Sequence, residues 1–277
     1  MMLRIYFMVR ACGNEYIHKM NRIPFISFYA KTRGWPYVIA WFHRIAGFIL
    51  VVYLWFHTYT LLSLSTPPLY DASMKIYGSF FFTILEWALA IPVIFHALNG
   101  GRLILYEGFE MRNDRSMICY LLGLSVVYLA LLGVLMLMGT QSVSQIFYWL
   151  VMLMAALTLA YGVASKFWKT KHSLLWKLQR ITGAFLLVMV PAHLLFMHLN
   201  PSVGKDANIV IMRMQNWFIK FIDISLIVMV IYHAGYGVMS VIRDYIGVRV
   251  FRTGLAVLVI LVMVIFAWAG IRLTISI

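Results

Sequence analysis

Seven long apolar stretches run through the sequence, and each is long enough to cross a lipid bilayer as a helix. A membrane-spanning helix needs about 20 apolar residues. The stretches lie at roughly 38–64, 77–106, 117–139, 145–166, 176–199, 216–242 and 250–275. Charged residues make up 12% of the chain, whereas a soluble domain would carry about 25%. We therefore expect an all-α integral membrane protein with seven transmembrane helices.

The basic residues predict how these helices are oriented. One set of connections carries most of them: Lys31, Arg33, Arg112, Arg115, Lys166, Lys169, Lys171, Lys177, Arg243, Arg249 and Arg252. The alternate set carries few: Lys75, Lys205, Arg213 and Arg272. Because basic residues accumulate in cytoplasmic loops, we expect a cytoplasmic N-terminus, an outside C-terminus and a location in the cell inner (cytoplasmic) membrane. The same rule accounts for the net charge of +14 without a nucleic-acid partner.

Several kinds of cofactor chemistry lack the residues they need. The two cysteines, Cys12 and Cys119, are too few for an iron–sulfur cluster, which usually takes about four thiolates. The sequence has no GxGxxG or Walker phosphate-binding loop. Any flavin, nucleotide or iron–sulfur chemistry is therefore expected to belong to a partner protein.

The two halves of the chain share a pattern in register. The segment HRIAG at 43–47 opens the first long helix, and QRITG at 179–183 opens the fifth. Thirteen residues after the arginine of each segment lies a histidine, His57 in the first half and His193 in the second. This agreement predicts that the first and fifth helices are equivalent members of a repeat.

The agreement continues in the next helix of each half. His96 and His233 hold equivalent places in the second and sixth helices. The other shared positions are an acid ten residues before each histidine and an acid–tyrosine pair ten to twelve residues after it: Glu86 and Asp223, then Tyr106-Glu107 and Asp244-Tyr245. A duplicated three-helix module accounts for all of these coincidences.

Parallel repeats of three helices need one additional crossing between them. Each repeat begins on the basic side and crosses three times, so the first ends on the opposite side. The stretch 145–166 supplies the return crossing as a connector helix, by analogy with parallel repeats in other membrane proteins. The expected divisions are an N-terminal cytoplasmic arm, the first repeat, the connector helix with its basic loop, and the second repeat: 1–37, 38–140, 141–173 and 174–277.

Four histidines inside the bilayer are expected to bind haem. An ionisable side chain at membrane depth is a functional candidate by default, and neutral imidazole is a good ligand of haem iron. With a rise of about 1.5 Å per residue, His96 and His233 lie nearer the cytoplasmic side, and His57 and His193 nearer the outside. We therefore expect two bis-histidine b-type haems in a four-helix core, with His198 as the alternative to His193.

At this point the residues resemble the membrane anchor subunits of succinate dehydrogenase and fumarate reductase. The HRIAG segment, followed in the next helix by Gly100 and Arg102, looks like the larger anchor subunit. The QRITG segment, followed by Asp244-Tyr245, looks like the smaller one. The resemblance covers roughly 38–140 and 174–275 and leaves the connector helix unmatched. It implies a fused, single-chain cytochrome b that anchors a flavoprotein with FAD and an iron–sulfur subunit.

The resemblance also implies roles for single residues. It makes His96 and His233 the ligands of the cytoplasm-side haem, and it places Arg44, Asp244 and Tyr245 at a quinone site beside that haem. The serine usually found three residues before the HR histidine is Ala40 here, so one hydrogen bond to quinone is absent from the pattern.

Further residues complete the expected site. His43 is interpreted as a haem-propionate or quinone neighbour, and Arg102 and Arg180 belong to the expected cofactor-binding set. The intramembrane acids Glu86 and Asp223 either line a second quinone site or proton path near the outside, or are structural. In the structural interpretation Asp223 pairs with Lys220, and Glu86 lies at headgroup level.

The sequence thus predicts an electron-transport subunit without succinate activity of its own. It would pass electrons between its partner subunits and a membrane quinone, either menaquinone or ubiquinone, as in the respiratory chain and the tricarboxylic acid cycle. One alternative is a haem-b anchor of another dehydrogenase, of the hydrogenase or formate dehydrogenase type. Another is a non-redox transporter built on the repeat.

Overall fold

The computed structural model describes residues 24–111, 113–138, 145–199 and 202–277. No strand occurs among these residues, and eleven α-helices account for most of them. In chain order they are α1 (Pro24–Arg33), α2 (Trp35–Leu62), α3 (Pro67–Tyr77), α4 (Phe80–Gly108), α5 (Asp114–Met138), α6 (Gln145–Phe167), α7 (Leu174–Leu199), α8 (Ser202–Lys205), α9 (Ala207–Met214), α10 (Trp217–Tyr245) and α11 (Arg249–Ser276).

The seven long helices correspond to the seven predicted stretches. Within the described residues, α2, α4, α6, α7, α10 and α11 are long and apolar enough to cross a membrane, and α5 contains a shorter apolar helix, Ser116–Ala130. The all-α membrane fold is therefore confirmed, and the chain is a multi-pass membrane protein. The first long helix starts at Trp35, inside the predicted arm, whose residues 24–33 form α1. Residues 1–23 of that arm lie outside the described residues.

Four helices form the centre of the bundle. They form a closed ring, in which α2 packs against α4, α4 against α7, α7 against α10, and α10 against α2. The other long helices lie outside: α5 on α4, α6 on α7, and α11 on α10. Most of α11 faces outward and is apolar on all sides, as a lipid-facing helix must be.

The connector helix α6 does more than complete the topology. Its buried residues recur every three or four positions and form one stripe: Trp149, Leu153, Ala156, Ala160, Val163 and Phe167. This spacing places them on one face of the helix, and several of them join residues of α7 in the largest buried cluster. The largely apolar sequence that suggested a plain connector thus provides the surface that packs against α7.

We call one end of the bundle the basic end and the other the cap. The basic end holds the α4–α5, α6–α7 and α10–α11 connections, and lysines and arginines lie in these connections or at the helix ends beside them. The cap consists of α3, α8 and α9, short helices in the connections of the opposite end. A 3-10 turn, Ser63–Ser65, follows α2 and leads directly into α3.

Two contacts fix the cap across the repeats. The hydroxyl of Tyr70 donates to the carbonyl of Gly204 at 2.6 Å, and the Asp71 carboxylate accepts from the amide of Ala207 at 2.9 Å. The side chain of Asp206 caps the start of α9 by accepting hydrogen bonds from the backbone amides of Asn208 and Ile209. Because these bonds satisfy backbone groups that the helix ends leave open, α9 is held in one position against α3.

Candidate functional site

Two histidines from different repeats face each other near the basic end. His96 of α4 and His233 of α10 have ring centroids 6.2 Å apart and ring planes 87° apart. Both side chains are half-buried in the bundle. The arrangement brings together two residues that the sequence predicted to act as a pair.

A glycine of the same repeat lies against each of these rings. A Cβ atom at Gly47 would lie 3.0 Å from Cε1 of His96, and one at Gly183 would lie 3.1 Å from Cε1 of His233. These are the glycines that end the HRIAG and QRITG segments. Any larger residue there would displace the ring, so each glycine sets where its histidine lies.

Hydrogen bonds orient both imidazoles of this pair. Nδ1 of His96 lies 3.2 Å from the carbonyl oxygen of His43, and Nδ1 of His233 lies 3.4 Å from Oγ1 of Thr182. The amide of Gln179 lies 3.5 Å from Nε2 of His233. In the tautomer that donates from Nδ1 to the His43 carbonyl, Nε2 of His96 carries the free lone pair.

His43 itself stacks on His96. The two ring centroids lie 3.9 Å apart with the planes 5° apart. The predicted neighbour of the cofactor therefore lies directly beside a predicted ligand.

Polar groups without partners surround this inner pair. Within the described residues, three buried side-chain atoms have no hydrogen-bond partner there: Nδ1 of His43, Nδ2 of Asn99 and Oε1 of Gln179. Asn99 is fully buried and accepts from Nε of Arg102 at 2.9 Å. Buried polar groups are nearly always hydrogen-bonded, so this cluster has the character of a binding site for a polar group.

The second histidine pair repeats the geometry of the first. His57 of α2 and His193 of α7 have centroids 6.2 Å apart and planes 84° apart. His57 lies fourteen residues beyond His43 on the same helix, or about 20 Å along its axis. Aromatic rings line this pair, Tyr53 beside His57 and Trp149 of α6 beside His193. The side chain of His198, the alternative ligand, lies outside the described residues.

Ion pairs at the basic end connect each repeat to the other. Arg44 of the first repeat contacts Asp244 of the second at 3.2 Å. In the reverse direction, Arg180 of the second repeat donates to both carboxylate oxygens of Glu107, at 2.6 and 2.8 Å. The arginines and acids predicted as equivalent positions thus form two equivalent crossed pairs.

The Arg44 pair is more open than the Arg180 pair. Asp244 is 49% exposed and Arg44 32%, against 29% for Glu107 and 22% for Arg180. The Arg44 guanidinium also lies over the ring of Tyr245, 5.5 Å from its centroid, and Trp41 packs against the same ring at 5.4 Å. The three predicted quinone-site residues therefore form one accessible cluster, while Arg180 is engaged by Glu107.

The two intramembrane acids interact with different parts of the bundle. Glu86 is close enough to Tyr53 to interact electrostatically with it. Asp223 interacts with Arg213 of the cap, whereas Lys220 donates to the carbonyl of Ile275 at 3.5 Å. The cation that faces Asp223 is therefore on α9 and not on its own helix.

Sequence reasoning assigned no role to four residues of the bundle and its cap: Asn99, Thr182, Trp149 and Arg213. Thr182 stands in the QRITG segment and Asn99 follows His96 by three residues, so both carried a positional signal. Trp149 lies in the connector helix α6, and Arg213 lies in the connection between α7 and α10. The pattern shared by the two repeats does not include these positions, so it gave no signal for either residue. No group of three or more His, Cys, Asp or Glu side chains suited to a metal ion occurs in the described ranges.

Comparisons with known proteins agree with this architecture. A sequence profile of the succinate dehydrogenase/fumarate reductase transmembrane subunit family matches residues 35–135 and 163–271. The succinate dehydrogenase 2 membrane subunit SdhC of Mycobacterium tuberculosis is 35% identical over 77 residues, which are 27% of this chain and 57% of that protein. The chain thus spans little more than half the length of this curated relative, and no solved structure matches it.

The matched segments overlap the two predicted repeats, and the second one also includes the end of α6 and the basic loop after it. They contain both histidine pairs and all four residues of the crossed ion pairs, and they leave out most of the connector helix α6. Since the profile covers both halves, the chain is a membrane subunit of an oxidoreductase complex and belongs to the succinate dehydrogenase/fumarate reductase transmembrane subunit family.

Proposed function

We propose that this chain is the dihaem cytochrome b anchor of a succinate:quinone oxidoreductase, with one haem b held by His96 and His233 and a second by His57 and His193. The chain would carry electrons between an iron–sulfur subunit and a membrane quinone. The observation that carries the proposal is that two histidine pairs, at different depths, have the same separation and the same nearly perpendicular ring planes.

The separation suits a single iron atom between two imidazoles. Metal–imidazole nitrogen bonds are about 2 Å long, and the ring centroid lies about 1 Å beyond the nitrogen. Two rings on opposite sides of one iron therefore have centroids about 6 Å apart, against 6.2 Å in both pairs. When bound, haem b supplies reversible one-electron transfer.

The surroundings of the inner pair also suit haem. The His43 carbonyl accepts from Nδ1 of His96, which leaves Nε2 for the metal, a common arrangement around metal-bound histidine. Asn99 offers a buried amide donor that lacks a partner among the described residues, and Arg102 lies beside it. Donors of this kind would hold the carboxylates of the porphyrin.

The cluster at the basic end suits a quinone. Reduction of a quinone takes two electrons and two protons, so negative charge develops on its oxygens. The Arg44 guanidinium and the Tyr245 hydroxyl can donate hydrogen bonds to such an oxygen, and both are partly exposed. Asp244 holds Arg44 in place and can pass protons from the aqueous side. Both menaquinone and ubiquinone carry the carbonyl oxygens that this cluster would bind.

The partners would dock at the basic end. A family of this kind works with other subunits, and we propose a flavoprotein with FAD and an iron–sulfur protein, which would bind succinate in place of this chain. By the positive-inside rule, that end faces the cytoplasm, and the protein lies in the inner membrane with its C-terminus outside. The family match favours this function over a hydrogenase or formate dehydrogenase anchor and over a transporter.

The outer acids Glu86 and Asp223 would serve a second quinone site or a proton path. Both are half-buried at membrane depth, where a carboxylate is costly. This role would make quinone turnover sensitive to the membrane potential, and Glu86→Gln would reduce that sensitivity.

Single histidine replacements test the ligand assignment. In the purified complex, His57→Ala is expected to remove the outer haem and leave the spectrum of the inner haem unchanged. His233→Ala is expected to remove the inner haem and leave the spectrum of the outer haem unchanged. His172→Ala is the control. His172 lies in the α6–α7 connection and stacks on Trp176 at the start of α7, so its replacement should leave both haems in place. Unchanged haem content in either ligand variant would contradict the assignment.

A further inference from the structure

The cap places one arginine inside the bundle. Arg213 lies in the last turn of α9, a helix held by Asp71 at its first residue. Residues of α9 pack against α3 and the end of α2 in a buried cluster that includes Val210, Met214 and Leu64. The backbone around Arg213 is therefore fixed, and its side chain points inward from a rigid element.

The guanidinium of Arg213 is poorly satisfied. Within the described part of the chain, its Nε is buried and has no hydrogen-bond partner, and its Nη1 contacts the sulfur of Met197 at 3.8 Å. A thioether is a weak acceptor. Burial lowers the pKa of Arg213, while Asp223 and Tyr70 oppose the shift. An arginine nevertheless stays protonated in proteins. The side chain therefore keeps its positive charge here and has N–H donors that can bind a further acceptor.

This charge lies one helical turn beyond the outer histidine pair. Met197, which the guanidinium contacts, follows His193 by four residues on α7, about 6 Å along the axis. On the other ligand helix, Leu61 follows His57 by four residues and packs against the cluster under α9. Arg213 thus sits above both ligand helices, on the side toward the cap.

A buried cation in this position would suit an anionic ligand, and the outer haem proposed between His57 and His193 would carry such anionic groups. Haem b bears two carboxylates on one edge, and such charges need a cationic partner inside a membrane. We propose that Arg213 binds the propionates of the outer haem, an inference that rests on the proposed dihaem function. Asp223 interacts electrostatically with the guanidinium, and the five donors of an arginine can serve a second carboxylate as well.

The test compares the two haem midpoint potentials in Arg213→Gln and wild-type complex. Removing a positive charge near one haem favours its oxidised form. We expect the reduction equilibrium constant of the outer haem to fall about tenfold, or about 59 mV for one electron, with the inner haem unchanged. Lys75→Gln is the control, because Lys75 lies in the last turn of α3, at the corresponding place of the first repeat, and is exposed.

Each outcome decides the inference. A selective fall of the outer potential, or selective loss of the outer haem, supports it. Two haems with unchanged potentials overturn it while leaving the dihaem function intact, and equal shifts of both haems, or an equal effect of Lys75→Gln, also overturn it. A single haem in the wild type contradicts the proposed function itself.

A wild-type measurement covers the case in which Arg213→Gln does not accumulate. Haem labelled with ¹³C at the propionates is incorporated, and the infrared difference spectrum is recorded at the potential of the outer haem. Labelled bands of an arginine-paired carboxylate that respond to this potential are expected. Bands of a free, protonated carboxylic acid would overturn the inference.

Discussion

Arg180 and Glu107 lie 73 residues apart in the sequence and form a two-bond ion pair across the repeats, at 2.6 and 2.8 Å. The equivalent pair, Arg44 and Asp244, has one bond at 3.2 Å. The same motif therefore produces a closed pair on one side of the bundle and an open pair on the other. This difference gives each pair a separate expected role, structural for Arg180 and functional for Arg44.

Glu107→Gln should destabilise the protein. The change removes the charge from a bidentate pair that is less than a third exposed, and charge-assisted hydrogen bonds of this kind contribute about 1–2 kcal/mol. Thermal unfolding of the detergent-solubilised protein measures the loss. Glu110→Gln, three residues away in an exposed turn, is the matched control. Equal melting temperatures of the two variants would show that the Arg180–Glu107 pair does not stabilise the protein.

Gly183→Ala should disturb the inner histidine pair. The added Cβ would lie 3.1 Å from Cε1 of His233, closer than ordinary contact, so the ring must move by a few tenths of an ångström. We expect an altered spectrum or reduced occupancy of the inner haem, and the same from Gly47→Ala, with the outer haem unaffected. Electron paramagnetic resonance of the oxidised protein distinguishes the two haems.

The control for these glycines is Gly162→Ala. Gly162 lies in the membrane helix α6, and a Cβ there has nothing within 4 Å. If Gly162→Ala alters the haem signals as much as Gly183→Ala does, the glycine contact is not what positions His233.

Tyr245→Phe should slow quinone reduction and leave the haems in place. The change removes one hydroxyl donor and keeps the ring that packs on Trp41 and Arg44. Loss of one hydrogen bond to developing charge corresponds to about a tenfold lower turnover. Quinone turnover by the complex and its haem content are measured together.

The corresponding tyrosine of the first repeat provides the comparison. Tyr106 also adjoins an acid at the basic end, but that acid is held by Arg180. Tyr106→Phe should therefore retain wild-type turnover. Wild-type turnover in Tyr245→Phe, or an equal loss in Tyr106→Phe, would remove Tyr245 from the proposed site.

The sequence predicted the helices and the partners of the histidines because both depend on local spacing. Apolar length determines which segments cross the membrane, and equal positions on parallel helices determine which histidines share a depth. His96 and His233 needed no further information to be paired. The fold class follows from the same helix lengths, whereas the family was identified from the resemblance of the HRIAG and QRITG segments to known anchor subunits.

Contacts between elements were not predictable from spacing. The resemblance had placed Arg44 and Asp244 at one site, but spacing alone did not show that these two residues would contact each other or that Arg180 would contact Glu107, because that depends on which helices adjoin. The cap was missed since α3 and α9 are too short to carry a transmembrane signal. Arg213 consequently read as a loop residue, although its Nε is buried. The role of α6 was likewise hidden, because an apolar face that packs on α7 and one that faces lipid have the same composition.

The haem content of the purified wild-type protein tests the central claim most directly. A pyridine haemochrome assay, set against the protein concentration from amino-acid analysis, is expected to give two haems b per chain. A value of one would remove either the His57–His193 pair or the His96–His233 pair from the account. A colourless protein with no Soret band would contradict the account as a whole.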